Sequence, residues 1–107
     1  YLTKKISTIV FDEIDSGVSG QVAEKLGFFM KEIANKQQII AITHLPQIAS
    51  IADNHYKVFK NELEDEKIGT KINLLDNKNR VLELARLLSG KEITNEAIAN
   101  AKKMLNI

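Results

Sequence analysis

Residues 7–20 read STIVFDEIDSGVSG, and this stretch predicts both the fold class and the candidate site. The mostly β-branched run at 6–11 predicts a strand, because such side chains favour an extended backbone. Two acids, Asp12 and Glu13, follow the run, and a loop of small residues completes the stretch. The stretch is therefore either a strand end that holds a metal and activates water, or a buried strand that runs into an acidic turn.

A second apolar run, QIIAIT at 38–43, also lacks polar alternation. Both runs are typical of strands buried on two faces, as in a parallel sheet. Between them, apolar residues recur at helical spacing, which predicts an amphipathic crossover helix in spite of Gly27. Strand, helix and strand over this length predict a right-handed parallel βαβ unit. The apolar stripe of the helix consists of Val22, Leu26, Phe29, Met30 and Ile33.

The rest of the chain predicts antiparallel strands and helices. Pro46 suits the start of a short helix. The segments HYKVFK at 55–60 and KIGTKINLL at 67–75 alternate apolar with polar residues, which predicts an antiparallel hairpin with one solvent-exposed polar face. Two C-terminal helices follow, so we expect an α/β fold in which a parallel βαβ unit precedes the hairpin and these helices. Their predicted capping residues are Asp76 or Asn77, Gly90 and Thr94.

Composition limits the function classes. The 107 residues make one domain or part of one, and 15 basic against 14 acidic residues predict no polyanion binding by themselves. The absence of cysteine excludes disulfides and thiolate metal sites from this sequence. No apolar run approaches the roughly 20 residues that span a bilayer. Because the sequence lacks an initiator Met and a signal peptide, we expect it to be a piece of a longer protein.

The acids after the first strand occupy the position of the Walker B acids in P-loop NTPases, at the strand edge where nucleotide lies. In this interpretation Asp12 holds Mg²⁺ through water, and Glu13 orients and polarises the water that attacks the phosphate. His44 ends the neighbouring predicted strand, so its ring is expected at the same sheet edge, within reach of a γ-phosphate. On these residues alone, an acidic turn with a structural histidine remains open.

A resemblance to a known family rests on several segments taken together. In them, the chain resembles the C-terminal part of the ATPase head of the RecN family, bacterial DNA repair proteins related to the SMC proteins within the ABC class of ATPases. The resemblance covers almost all of 1–107 and implies the C-terminal half of a P-loop NTPase-like (ABC/SMC head) fold. The segments are FDEID at 11–15, SGVSG at 16–20, ITHLPQIA at 42–49, ADNHYKV at 52–58 and ELARLLSGKEITNEAIANAKKML at 83–105.

The resemblance also implies roles for individual residues. Asp12 resembles the Walker B aspartate that holds Mg²⁺, Glu13 the catalytic glutamate, and His44 the switch histidine. The loop after Glu13 is similar to the D-loop, which communicates across paired heads, although Ser19 stands where many ABC ATPases have an aspartate. The nucleotide and D-loop residues implied in this way are Asp15, Ser16, Gly17, Ser19 and Gly20.

The resemblance implies an ATPase whose ATP hydrolysis is coupled to DNA double-strand break repair and recombination, with ATP and Mg²⁺ as cofactors. The chain contains neither a Gly-x-x-x-x-Gly-Lys-Ser/Thr (Walker A) loop nor an ABC signature segment, so we expect both upstream of it and expect the isolated chain to be inactive. The implied partners are the N-terminal half of the same head, a second head in a homodimer and DNA, but no membrane. The implied location is the bacterial cytoplasm, at the nucleoid.

Two other functions remain open from the sequence. The chain could be a non-catalytic α/β module for dimerisation or partner docking, since its apolar helices need no chemistry for that role. It could also be a metal-dependent phosphatase or nuclease that uses Asp12, Glu13 and His44 without a P-loop. Two further features are interpreted as structural: LLSGKE at 87–92 lacks the glycine spacing of a P-loop, and His55 lacks a second histidine at metal-ligand spacing.

Overall fold

The computed structural model describes residues 7–12, 19–62 and 68–107, without the side chains of 60–62 and 68. The predicted elements are present in the predicted order, which confirms the α/β architecture. These elements are β1 Thr8–Asp12, α1 Gly20–Ala34, β2 Gln38–Ile42, α2 Pro46–Ala49, β3 Tyr56–Glu62, β4 Ile68–Leu74, α3 Asn77–Ser89 and α4 Asn95–Met104.

The first sheet is the predicted parallel pair. β1 and β2 are paired in register from Thr8 opposite Gln38 to Asp12 opposite Ile42, with α1 as the crossover between them. Ser19 is the N-cap of α1, and its Oγ accepts a hydrogen bond from the Val22 N–H at 3.3 Å. An N-cap hydroxyl satisfies one of the first helical N–H groups, which have no partner within the helix.

Burial on two faces, predicted for both strands, is wrong for the part of the chain that the structure describes. Val10, Ile40 and Ile42 are 58%, 45% and 51% exposed. Residues of a strand alternate between faces, and the opposite face, with Ile9 and Ile39, is partly buried. An apolar run indicates that its side chains favour burial. Which other element covers each face depends on the tertiary structure.

The hairpin is antiparallel as predicted, with Tyr56 opposite Leu74 and Val58 opposite Ile72. Lys71 and Asn73 of its polar face are exposed as predicted, but the expected burial of its apolar face is wrong. That face, called here the outer hairpin face, consists of Tyr56, Val58, Ile72 and Leu74, which are 57–64% exposed. The opposite face carries Lys57, which forms an ion pair with Glu83 of α3 and so turns towards that helix.

The core lies among the last three helices. Small residues dominate it, which lets the helices approach closely, and the predicted caps bound α3 and α4. The Asp76 carboxylate accepts from the Asn79 N–H at 2.8 Å, and Gly90, at φ 82°, ends α3. The Thr94 hydroxyl accepts from the Ala97 N–H at 3.0 Å and so caps α4. The buried core residues are Ala49, Val81, Leu84, Ala85, Ala97 and Ala101.

Candidate functional site

The candidate site lies at the edge where β1 and β2 end. Asp12 is the last residue of β1 and is paired with Ile42, the last residue of β2. His44 follows Ile42 by two positions, so Asp12 and the segment that carries His44 lie at the same edge of the sheet. Both Asp12 and His44 are exposed. The carboxyl ends of two parallel strands therefore meet where the sequence predicted them.

The acidic loop between β1 and α1 is only partly described. Glu13, Asp15, Ser16 and Gly17 lie outside the described residues, so their roles stay predictions. Ser19 and Gly20 are described, as the N-cap and first residue of α1. A Cβ at Gly20 would lie 3.1 Å from Gln47 Nε2, so the end of the predicted D-loop closely approaches α2.

His44 lies in a short connection between β2 and α2 with well-defined backbone hydrogen bonds. The Thr43 hydroxyl accepts a hydrogen bond from the Leu45 N–H at 3.0 Å. Leu45 is the N-cap of α2, and its carbonyl accepts from the N–H groups of Ile48 and Ala49 at 3.1 Å and 3.0 Å. Hydrogen bonds therefore hold the residues on both sides of His44, and the position of α2 sets where the His44 backbone lies.

The end of α2 is bound by a side chain from α3. Arg80 Nη2 donates to the carbonyl oxygens of Ala49 at 3.0 Å, Ser50 at 3.4 Å and Ala52. Burial lowers the pKa of Arg80 below its ordinary value, and the negative charge of Asp53 partly opposes this effect. The guanidinium of Arg80 thus acts as a side-chain cap for carbonyls at the end of a neighbouring helix.

Helix α1 holds the same region from another side. Lys31 of α1 forms an ion pair with Asp53, and the hydrogen bond and charge of Lys31 hold the pKa of Asp53 below its ordinary value. Gly27 lies against α2 so closely that a Cβ there would be 2.8 Å from Ile51 Cδ1 and 3.2 Å from the Gln47 carbonyl oxygen. The glycine therefore permits a close packing of α1 on α2.

A second polar cluster lies between the hairpin and α3, beside a cavity of about 570 Å³. The Glu83 side chain, 6% exposed, accepts hydrogen bonds from Arg86 and forms an ion pair with Lys57. Burial alone raises the pKa of Glu83, but the hydrogen bonds from Arg86 and Lys57 outweigh burial and hold that pKa below its ordinary value. Because each charge in this cluster is paired, we interpret the cluster as a structural contact between the hairpin and α3.

Sequence reasoning did not single out Arg80 or Glu83, and it treated Gly27 only as a residue that weakens its helix. A cation in the early turns of a helix lies at the unfavourable end of the helix dipole, and Arg80 could have been noticed for that reason. Glu83 lies between the buried residues Val81 and Leu84 of α3. An acid beside the apolar stripe could have indicated that its side chain is buried and paired. For Gly27, the signal was a glycine on the buried face of a helix.

The described residues contain neither a cluster of metal ligands nor a helix that could span a membrane. Within 7–12, 19–62 and 68–107, no group of three or more His, Cys, Asp or Glu residues is arranged to hold a metal ion. In the same part of the chain, every helix is too short or too polar to cross a bilayer.

The fold is shared with a solved ATPase chain. The structure superimposes on a solved chain from work on the structural biochemistry of ATP-driven dimerization and DNA-stimulated activation of SMC ATPases, with a TM-score of 0.69. The superposition covers 83% of this chain and 52% of the solved one, at 19% sequence identity. At that identity the likeness shows the fold alone, and it confirms the predicted fold of an SMC-type ATPase head.

Sequence comparison then gives the particular relatives. The chain is 45% identical to the DNA repair protein RecN of Rickettsia conorii over 100 residues, which is 94% of the chain and 18% of the relative. It is 41% identical to RecN of Haemophilus influenzae over 95% of the chain, and 37% identical to RecN of Bacillus subtilis over 94%. The predicted resemblance to the RecN family is thereby confirmed.

These matches cover nearly all of the chain but only a small part of each relative. The chain spans about 18% of the length of the RecN proteins that it matches. No protein-family model matches it.

Proposed function

We propose that residues 1–107 are the C-terminal portion of the ATPase head of a RecN-like protein and contribute the Walker B and switch residues to ATP hydrolysis. The observation that carries the proposal is the pairing of Asp12 with Ile42, which brings Asp12 and the His44 segment to one sheet edge. The RecN similarity over nearly all of the chain supports the same assignment.

Each residue has a distinct task in this proposal. The exposed carboxylate of Asp12 suits Mg²⁺, a hard cation that prefers oxygen ligands and keeps much of its water, so Asp12 holds it through water. When bound, Mg²⁺ neutralises charge on the phosphates of ATP. Glu13 orients and polarises the attacking water, and His44 contacts the γ-phosphate. The loop containing Asp15, Ser16, Gly17, Ser19 and Gly20 is the D-loop, which faces a second head.

The preceding part of the same head is the proposed main partner of this chain. The outer hairpin face and the exposed Val10, Ile40 and Ile42 present apolar surface that folded proteins normally cover. Because the chain spans about 18% of the RecN proteins it matches, most of a comparable polypeptide remains to supply that cover. We place the Walker A loop and the signature segment in it, so the isolated chain has no ATPase activity.

At the level of the whole protein, the proposal is a homodimer of heads that closes on ATP and acts on DNA in double-strand break repair and recombination. The solved SMC ATPase with the same fold comes from work on ATP-driven dimerization and DNA-stimulated activation. This supports head pairing here. The proposed location is the cytoplasm, at the nucleoid, with no membrane partner.

The substitution Glu13→Gln in the full-length protein tests the enzyme assignment. Removal of a general base is expected to reduce turnover by roughly 100-fold or more while ATP binding persists. The matched control is Glu24→Gln, the same substitution at an exposed position of α1. Unchanged turnover in the Glu13→Gln variant contradicts the role of Glu13.

The exposed apolar faces also favour a second candidate, a non-catalytic module for dimerisation or partner docking. In that case the Glu13→Gln and Asp12→Asn variants hydrolyse ATP at the wild-type rate. A metal-dependent phosphatase or nuclease that needs no P-loop instead predicts Mn²⁺-dependent hydrolysis by the isolated chain.

A further inference from the structure

Arg80 belongs to α3, but its guanidinium is bound to the end of α2. Nη2 donates to the carbonyls of Ala49, Ser50 and Ala52, the first two at 3.0 Å and 3.4 Å. The last carbonyls of a helix have no partner within the helix, and a guanidinium can satisfy them. Arg80 therefore ties α3 to the C-terminal end of α2.

Helix α2 depends on such external contacts because it has only four residues. Isolated helices shorter than about 12 residues are marginal in water, so tertiary contacts must set the position of this one. Helix α1 contacts α2 where Gly27 lies against the Gln47 carbonyl, and Ile48 and Ala49 of α2 are buried. Arg80 adds a polar contact, which has directional requirements that apolar packing lacks.

Any displacement of α2 is transmitted to His44. Only Leu45, the N-cap of α2, separates His44 from the first helical residue, Pro46. The Leu45 carbonyl is bound within α2, and its N–H is bound to the Thr43 hydroxyl at 3.0 Å. His44 therefore lies between the fixed end of β2 and a helix whose far end Arg80 holds.

We propose that Arg80 is a positioning residue for His44: by capping α2, it holds the His44 backbone at the sheet edge where Asp12 lies. This inference rests on the proposed function, in which His44 contacts the γ-phosphate of ATP. Arg80 itself does not touch the nucleotide. Loss of its cap displaces a catalytic group, and displacements of about 1 Å can reduce rates by roughly 100-fold.

The test compares Arg80→Met with Arg86→Met in the full-length protein, with steady-state ATP hydrolysis as the measurement. Both substitutions remove a guanidinium from α3, but Arg86 is bound to Glu83 rather than to α2. We expect Arg80→Met to lower kcat by about 10- to 100-fold with little change in KM for ATP. Arg86→Met is expected to retain the wild-type kcat, whatever its effect on Tm.

A double-mutant comparison separates action through His44 from a general loss of structure. In the His44→Ala background, Arg80→Met should reduce the residual turnover no further, because the group that it positions is already gone. Arg80→Lys should restore part of the kcat, since an ammonium can donate to the same carbonyls. If circular dichroism shows that Arg80→Met does not fold, the kcat values of Arg80→Lys and Arg86→Met are compared instead.

Three outcomes overturn the inference. One is equal kcat for Arg80→Met and wild type, another is an equal fall in kcat for Arg80→Met and Arg86→Met, and the third is a full Arg80→Met effect in the His44→Ala background. These are distinguishable from failure of the proposed function, in which Glu13→Gln and His44→Ala both leave turnover unchanged.

Discussion

Lys57 of β3 and Glu83 of α3 form an ion pair in which 3.3 Å separates Lys57 Nζ from Glu83 Oε1. The Glu83 side chain is 6% exposed, whereas the side chains of Lys57 and Arg86, which both bind it, are 32% and 50% exposed. The pair turns the Lys57 face of the hairpin towards α3. The apolar outer hairpin face lies on the other side of the hairpin and is exposed in the described residues.

Glu83→Gln tests how strongly this ion pair holds the hairpin to α3. We expect a loss of about 1–2 kcal/mol in local stability, below the value for fully buried pairs because both cations are partly exposed. Hydrogen-exchange mass spectrometry of the full-length protein measures this at peptides from β3 and α3. Glu92→Gln, at an exposed loop position, is the control and should leave exchange unchanged. Unaltered protection in Glu83→Gln would show that the pair contributes nothing measurable.

Val58→Lys tests whether the outer hairpin face is covered in the full-length protein. Burial of a valine contributes about 1.5–3 kcal/mol, so a lysine there should lower the stability of the full-length protein by a similar amount. Ile107→Lys is a matched control, since Ile107 and Val58 are both 61% exposed in this chain. Thermal unfolding of both variants is the measurement. Equal Tm values for Val58→Lys and wild type would mean that the face stays exposed to solvent.

Gly27→Val tests the close packing of α1 on α2. A Cβ at position 27 already comes within 3.2 Å of a backbone oxygen, and the larger side chain should force the helices apart at a cost of about 1–3 kcal/mol. Gly69→Val is the control, because a Cβ at Gly69 meets nothing within 4 Å. Urea unfolding compares the two variants, and a Gly27→Val protein as stable as Gly69→Val would refute close packing.

His55 gives the protein a predicted pH dependence. Its ring is half-buried, and its Nδ1 is buried with no hydrogen-bond partner among the described residues. Burial, with a smaller contribution from the charge of Arg80, lowers the pKa of His55 below the ordinary value of 6.5. The unfolded chain therefore binds a proton at a higher pH than the folded chain does.

It follows that stability falls as the pH drops below 6.5, and that this contribution is fully present above it. His55→Gln removes the titrating group, so the Tm difference between about pH 7 and about pH 5.5 should shrink. The carboxylates Asp53 and Glu83 have lowered pKa values, and their contributions are lost only at more acidic pH. An identical pH dependence in His55→Gln and wild type would exclude His55 as the source.

Much of the local structure could be predicted from the sequence. Capping side chains and helical periodicity act over a few residues, which is why Asp76, Thr94 and Gly90 correctly marked the helix termini. The parallel pairing of β1 and β2 was predicted from two apolar runs at βαβ spacing. The same spacing predicted that Asp12 and the His44 segment lie at one edge of the sheet. The roles of Glu13 and of the D-loop residues remain predictions.

The sequence by itself determined the elements, their order and the residues at the end of each strand, because these depend on local propensity and short-range hydrogen bonds. Only the tertiary structure decided which hairpin face turns towards α3, where Lys57 pairs with Glu83, a residue distant in sequence, while the apolar face stays exposed. It also decided that Arg80 caps a helix about 30 residues earlier in the chain. No local pattern encodes such contacts, because they exist only when separate helices are packed together.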